Sequence, residues 1–174
     1  QPDWVWIKNR TGGTKSHQLV DSSRGVTKYI FSDGNDAEST LTNRLDSFDS
    51  DGFTTDNHSS VNESSRTYVA WQWKANGGTT SSDSSGSITS TVQANTTAGF
   101  SIVKWTGTGS SGTIGHGLGA KPDIFFVKRL DSTNWAVYHS FVDGSNDYLK
   151  LNATDAKADS SNPVPTTSVF QKTD

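Results

Sequence analysis

The sequence predicts an all-β protein of layered sheets in two related copies. Three observations predict it. Pro2-Asp3-Trp4-Val5-Trp6-Ile7-Lys8 returns 120 positions later as Pro122-Asp123-Ile124-Phe125-Phe126-Val127-Lys128, each copy being Pro-Asp, four large apolar residues and Lys. That distance is too long for a solenoid unit and suits a duplicated small domain. Apolar residues fall in short runs or in alternation, bounded by Gly, Asn, Asp and Ser, as strands do. Only 30% of the 174 residues are hydrophobic, yet the chain carries 6 Trp, 8 Phe and 4 Tyr. Disordered chains are poor in aromatics, and each aromatic buries a large area. A thin β core under a hydroxyl-rich skin follows. Duplicated all-β modules more often build surfaces than catalytic centres, which puts binding and assembly ahead of catalysis.

Taken in order, Trp4-Val5-Trp6-Ile7 reads as a buried strand before a turn at Gly12-Gly13. Lys28-Tyr29-Ile30-Phe31 reads as another. Residues 34–45 place Ala37, Leu41 and Leu45 on one helical face behind Asp33, which predicts one short capped helix. Asp51-Gly52 is a turn leading into Phe53 and Thr54. Residues 67–73 alternate, with Val69, Trp71 and Trp73 on one face and Tyr68, Ala70 and Gln72 on the other. Both faces need cover, and period-2 placement predicts core positions for Trp4, Trp6, Trp71 and Trp73.

Residues 75–86 contain no large apolar residue and read as a flexible linker. It divides a first module, 1–74, from a second, 87–174. Strand signals resume at 87–92 and 100–105. A Gly-rich loop, 107–119, precedes the second Pro-Asp strand, and further strands are expected at 135–139 and 148–151. Residues 17–22 align with 135–140, residues 28–31 with 148–151, and Phe53 with Phe170. The first module has no counterpart of residues 99–121, and the second none of residues 68–73. Both copies are therefore expected to be incomplete at the chain ends. The second is expected to leave an open sheet edge that recruits a partner. Met is absent even at position 1, as in a processed product or a piece of a longer chain.

With 15 basic and 18 acidic residues and a net charge of −3, the chain lacks the basic surface that nucleic acid requires. No basic run marks a membrane surface, no apolar stretch spans a bilayer, and residues 1–20 lack a signal-peptide pattern. With no Cys there is no disulfide or thiolate metal site.

Few motifs carry chemistry. Gly107-Thr108-Gly109-Ser110-Ser111-Gly112 matches G-x-G-x-x-G, but residues 113–119 are too Gly-rich for the helix that would hold a pyrophosphate. It reads as a β connection. Asp46, Asp49 and Asp51 before Gly52 are the Ca²⁺ candidates. The closing Glu and flanking helices of an EF-hand are missing, so an acidic turn is the plainer reading. His17, His58, His116 and His139 show no ligand spacing. His116, between glycines, reads as a loop side chain bonded to nearby backbone. G-x-S-x-G does not occur, and Ser, His and Asp are too common for co-occurrence to indicate a triad. Glu38 and Glu63, the only Glu residues, sit in polar surroundings, unlike a glycosidase pair. No enzyme, metal or cofactor is expected. Asp21 and Arg24, three apart, read as a structural loop pair. Trp105 and Trp135, beside loops, are the glycan-binding candidates, because sugars stack on flat exposed aromatics.

The order of segments carries one resemblance. Residues 2–10, Asp21-Ser22-Ser23-Arg24-Gly25-Val26-Thr27-Lys28, Ser47-Phe48-Asp49-Ser50-Asp51-Gly52-Phe53 and residues 67–74 carry it in the first half. Residues 87–107, Gly115-His116-Gly117-Leu118-Gly119, residues 122–128 and Tyr138-His139-Ser140 carry it in the second. Together they resemble a family of repeated domains in virion proteins of tailed, often marine, phages. Such domains are similar to concanavalin A-like jelly rolls. The resemblance implies an antiparallel β-sandwich at the virion surface, made in the host cytoplasm. It would build a tail fibre, tail tip or capsid fibre as a homo-oligomer or with other virion proteins, in a structural or adhesion role. The resemblance implies no ligand; host-surface polysaccharide enters only as the partner that an exposed Trp would suit. Two alternatives stay open. One is a capsid decoration or spacer without a ligand; the other is a carbohydrate-binding module of a secreted enzyme.

Overall fold

Short strands and tight turns divide the chain finely. The computed structural model describes residues 1–142, 147–158 and 165–172. The strands are β1 (Trp4–Asn9), β2 (Gln18–Asp21), β3 (Lys28–Tyr29), β4 (Ser39–Thr40), β5 (Leu45–Asp49), β6 (Gly52–Thr55), β7 (Tyr68–Trp73) and β8 (Ser81–Asp83). They continue with β9 (Ser90–Asn95), β10 (Phe100–Lys104), β11 (Gly112–Gly115), β12 (Ile124–Val127), β13 (Ala136–His139), β14 (Tyr148–Leu149) and β15 (Val169–Lys172). Among the described residues there is no helix, and every strand pair is antiparallel. The all-β expectation holds.

The first sheet has the order β2-β1-β7, and a bridge from Leu19 to Ile30 brings the end of β3 alongside β2. Its pleat separates two faces. Val5, Ile7 and Val20 point one way and pack with Tyr29, Leu45 and Val61, all buried, over the hairpins β3-β4 and β5-β6. Tyr29 is fully buried, and its hydroxyl accepts the Leu45 N–H at 2.7 Å. Trp4, Trp6, Trp71 and Trp73 therefore lie on the opposite face. There Leu19, Ile30 and the buried Trp135 form a second cluster, with Trp4, Trp6 and Leu151 packed against it.

The helix expected over 34–45 does not form. The Glu38 N–H donates to Leu130 O and the Leu41 N–H to Thr27 O, both at 2.9 Å, and Ser39–Thr40 pairs with β3. Asn, Ser and Thr crowd this window and favour local alternatives to a helix. Long-range partners then take the amides that a helix would have used.

Residues 75–86, read as a flexible linker, are instead tied down. Ala75 is buried, residues 76–78 are held by the side chains of Asp3, just before β1, and of Gln93 in β9, and Ser81–Asp83 pairs with β9. Composition counts apolar side chains and misses this, because the bonds use backbone N–H groups.

Hairpins β1-β2 and β12-β13 share one register. Trp4, Val5, Trp6 and Ile7 face Asp21, Val20, Leu19 and Gln18; Ile124, Phe125, Phe126 and Val127 face His139, Tyr138, Val137 and Ala136. This is the alignment of 17–22 with 135–140 read from the sequence. β14 flanks β13 as the end of β3 flanks β2. A separate aromatic column runs from Trp105 through Phe170 and Phe125 to Tyr138. The other sheets are β10-β9-β8 and β11-β15.

Candidate functional site

The Trp-bearing face of β1 and β7 carries two exposed Trp rings on one strand. In register, Trp4 lies opposite Trp73 and Trp6 opposite Trp71. The ring centroids are 4.7 Å and 5.5 Å apart, as cross-strand aromatic pairs should be. Phe100 of β10 stacks near both Trp4 (5.9 Å, 24°) and Trp73 (6.2 Å, 26°). Phe126 of β12 lies 6.4 Å from Trp4. Trp4 and Trp6 are half-buried, but Trp71 keeps 43% of its surface in water and Trp73 38%. The expectation of core positions is corrected for Trp71 and Trp73. They sit on the sheet's edge strand, where the C-terminal half meets Trp73 through Phe100 and leaves both rings partly in water.

Polar groups frame this surface. Trp6 Nε1–H donates to His17 Nδ1 at 2.9 Å, which fixes the neutral tautomer of His17 as the acceptor. Burial lowers the His17 pKa; nearby Asp33 opposes that and Lys8 adds to it. Beyond Trp73, an open cleft of 390 Å³ is lined by Gln1, Ser50, Asp51, Gln72, Trp73 and Lys74. The cleft lies round the sheet edge from the rings, because Gln72 alternates with Trp71 and Trp73 and the β5-β6 hairpin packs under the opposite face.

The residues expected from the sequence lie elsewhere. Trp135 is not exposed. Only 4% of it reaches solvent, its Nε1–H donates to Phe31 O at 2.8 Å, and its amide donates to Asn152 Oδ1 at 2.9 Å. Its place beside a loop suggested exposure, but the loop folds it into the gap between Leu19 and Ile30. Trp105 is half-buried and meets Phe170 edge-on at 5.4 Å. Asp21 and Arg24 do meet: Nε lies 2.5 Å from Oδ2, the Arg24 amide bonds Oδ1, and Arg24 Nη1 reaches Glu38 Oε2 at 3.0 Å. This ties the β2-β3 turn to the segment before β4. Asp46 and Asp51 are exposed, while Asp49 accepts from Ser47 and Thr54 hydroxyls, which hold its carboxyl below the usual range. Among the described residues no three His, Asp or Glu side chains converge as a metal site. His116 is buried and its Nδ1 accepts the Leu118 N–H at 3.2 Å.

Residues 1–173 match the family model described as a domain of unknown function, DUF7483. The chain belongs to this family. No curated protein and no solved structure matches it. The DUF7483 match runs unbroken across both hairpins, so the aromatic face and the polar cluster between β1 and β9 lie within one family domain. Among the described residues of this DUF7483 chain no helix is long and apolar enough to cross a membrane.

Sequence reasoning missed Trp71 and Trp73 as surface residues because alternation marks two faces without naming the covered one. The one available signal was the partner set: Tyr68 and Ala70 share the face that completes the first core.

Proposed function

We propose that this DUF7483 chain is a non-enzymatic structural and adhesion module of a phage virion. In this reading it is a concanavalin A-like jelly roll in two related copies that builds a fibre or surface appendage. It works at the virion surface after synthesis in the host cytoplasm, beside copies of itself or other virion proteins. It holds host-surface glycan on Trp71 and Trp73, without nucleic acid or membrane insertion. The motif order and the shared register of the two hairpins support the repeat.

One observation carries the adhesive role: two Trp rings, 43% and 38% exposed, stand on one edge strand with aromatic backing. An aromatic face carries partial negative charge, and the C–H groups of a pyranose sit well on it. Exposed apolar surface of this kind marks a contact site. Trp73 also borders the cleft at the end of β7, where Lys74 and Asp51 are partners for sugar hydroxyls.

The test is a glycan and host-polysaccharide array with the wild-type chain and the Trp71→Ala/Trp73→Ala variant. The reading expects binding that falls at least about tenfold in the variant, since stacking and burial of two rings exceed 1.4 kcal/mol. Wild-type protein that binds no saccharide, or a variant that binds as well, sinks it. A capsid decoration or spacer is the second reading. It is favoured by Ile124 and Phe126, 44% and 38% exposed, which extend the apolar face in a way that suits protein better than sugar. A carbohydrate-binding module of a secreted enzyme would use the same two rings, so release of sugar from a host polysaccharide by the intact polypeptide would favour that third reading.

A further inference from the structure

We propose that the outer edge of β12, with Asp123 at its foot, is a docking site for an extended protein segment of the β7 type. Such a segment is an alternating aromatic strand followed by an Asn-Gly-Gly turn. The inference stands apart from the glycan reading and rests on a comparison within the molecule. At the foot of β1, the Ser22 amide donates to Asp3 O at 2.9 Å and the Ser22 hydroxyl to Asp3 Oδ1 at 2.7 Å. At the foot of β12, the Ser140 amide donates to Asp123 O at 2.8 Å and the Ser140 hydroxyl to Asp123 Oδ1 at 3.0 Å. The two Pro-Asp corners are built alike.

What lies beside them differs. β7 occupies the outer edge of β1, and the Asp3 amide donates to Trp73 O at 2.8 Å. The turn after β7 then gives its Ala75 and Gly77 amides to Asp3 Oδ2, at 2.8 and 2.9 Å, and its Gly78 amide to Asp3 Oδ1 at 2.7 Å. Gly77 and Gly78 have φ of +61° and +81°, a region that other residues enter only at a cost. This is a strand with a carboxylate latch. On the second hairpin β12 is the edge strand among the described residues, and Asp123 is exposed. Ile124 and Phe126, which correspond to Trp4 and Trp6, are 44% and 38% exposed. An unpaired edge with apolar side chains is a template for strand addition. Asp123 adds the latch, and the latch states its key: a turn with glycines at the two positions where Gly77 and Gly78 stand.

The test uses a fluorescent peptide of residues 68–78, titrated onto the 174-residue chain and read by anisotropy. Saturable binding is expected. It should weaken about tenfold or more with Asp123→Ala, because hydrogen bonds to a charged acceptor are lost. It should weaken likewise when the peptide carries Gly77→Ala and Gly78→Ala. The chain has no Cys, so register is read independently by disulfide trapping. Ile124→Cys should capture a peptide with Trp73→Cys, by analogy with Trp4 opposite Trp73, and not one with Gln72→Cys. Near-UV circular dichroism checks that Asp123→Ala is folded, and the trapping arm does not depend on that variant. No saturable binding to the wild type, binding indifferent to Asp123→Ala, or trapping without regard to register overturns the proposal.

Discussion

Asp3 and Gln93 share one donor: the Gly78 N–H lies 2.7 Å from Asp3 Oδ1 and 2.9 Å from Gln93 Oε1. Both side chains are fully buried. Gln93 also accepts the Asn76 amide and donates to the Ser22 and Ser23 hydroxyls. The corner before β1 and strand β9 are thus joined through the backbone of residues 76–78. A buried polar cluster of this kind is stabilising only while every member is satisfied.

Asp3→Ala leaves the Ala75 and Gly77 N–H groups without their acceptor, while the Gly78 N–H keeps Gln93 Oε1. At about 1–3 kcal/mol for each donor left unmade, a loss of about 2 kcal/mol or more is expected. The corresponding Asp123→Ala removes an exposed carboxylate and should cost under about 1 kcal/mol. Urea midpoints at constant m-value compare the two; equal shifts would contradict the latch described at Asp3.

Trp135 and Trp71 should separate stability from surface. Trp135→Ala opens a cavity against Leu19 and Ile30 and is expected to cost about 3–5 kcal/mol. Trp71→Ala, on an edge strand, is expected to cost about 1 kcal/mol. Thermal unfolding of the two variants gives the order, and a lower midpoint for Trp71→Ala would reverse the assignment of faces.

His17 confers a pH response. Its pKa is lowered in the folded chain, by burial first, so the unfolded state takes up the proton more readily. The stabilising contribution is full above the ordinary value of about 6.5 and is lost as pH falls through the lowered folded value. Protonation at Nδ1 also removes the acceptor for Trp6 Nε1–H. Two-dimensional NMR of the Trp6 indole N–H should show a shift below pH 6.5 that vanishes in His17→Ala. The titration is read against Asp33 and Lys8, the charged groups that act on His17. An indole signal flat down to the acid transition would contradict it.

Gly86 is expected to tolerate no side chain. A Cβ there would lie 2.2 Å from Thr113 O and 2.5 Å from Thr113 C, backbone atoms of a paired strand. Gly86→Ala should cost about 1–3 kcal/mol by overpacking. Gly107→Ala meets nothing within 4 Å and should be neutral or stabilise by up to about 1 kcal/mol. Differential scanning calorimetry of both variants checks the contrast.

Much of the strand content was legible. Residues 4–7, 51–54, 67–73, 87–92, 100–105 and 122–128 show short apolar runs or alternation, and each overlaps a strand. The correspondence of 17–22 with 135–140 was legible too, and the two hairpins pair in the same register. The helix over 34–45 failed because periodicity of three apolar residues is weak against the pull of Leu130 and Thr27 on its amides. The aromatic site was read at Trp105 and Trp135 from proximity to loops, and exposure was found at Trp71 and Trp73.

Residue order alone established β structure, the duplicated Pro-Asp strand and the face shared by Trp71 and Trp73. Only folding decided which aromatics met water, which Asp was latched, and that residues 75–86 were held in place. Alternation and turn chemistry act over a few neighbours, whereas burial depends on what arrives from far along the chain. Trp135 arrives at Leu19, and Gln93 arrives at Asp3; no local pattern encodes either meeting.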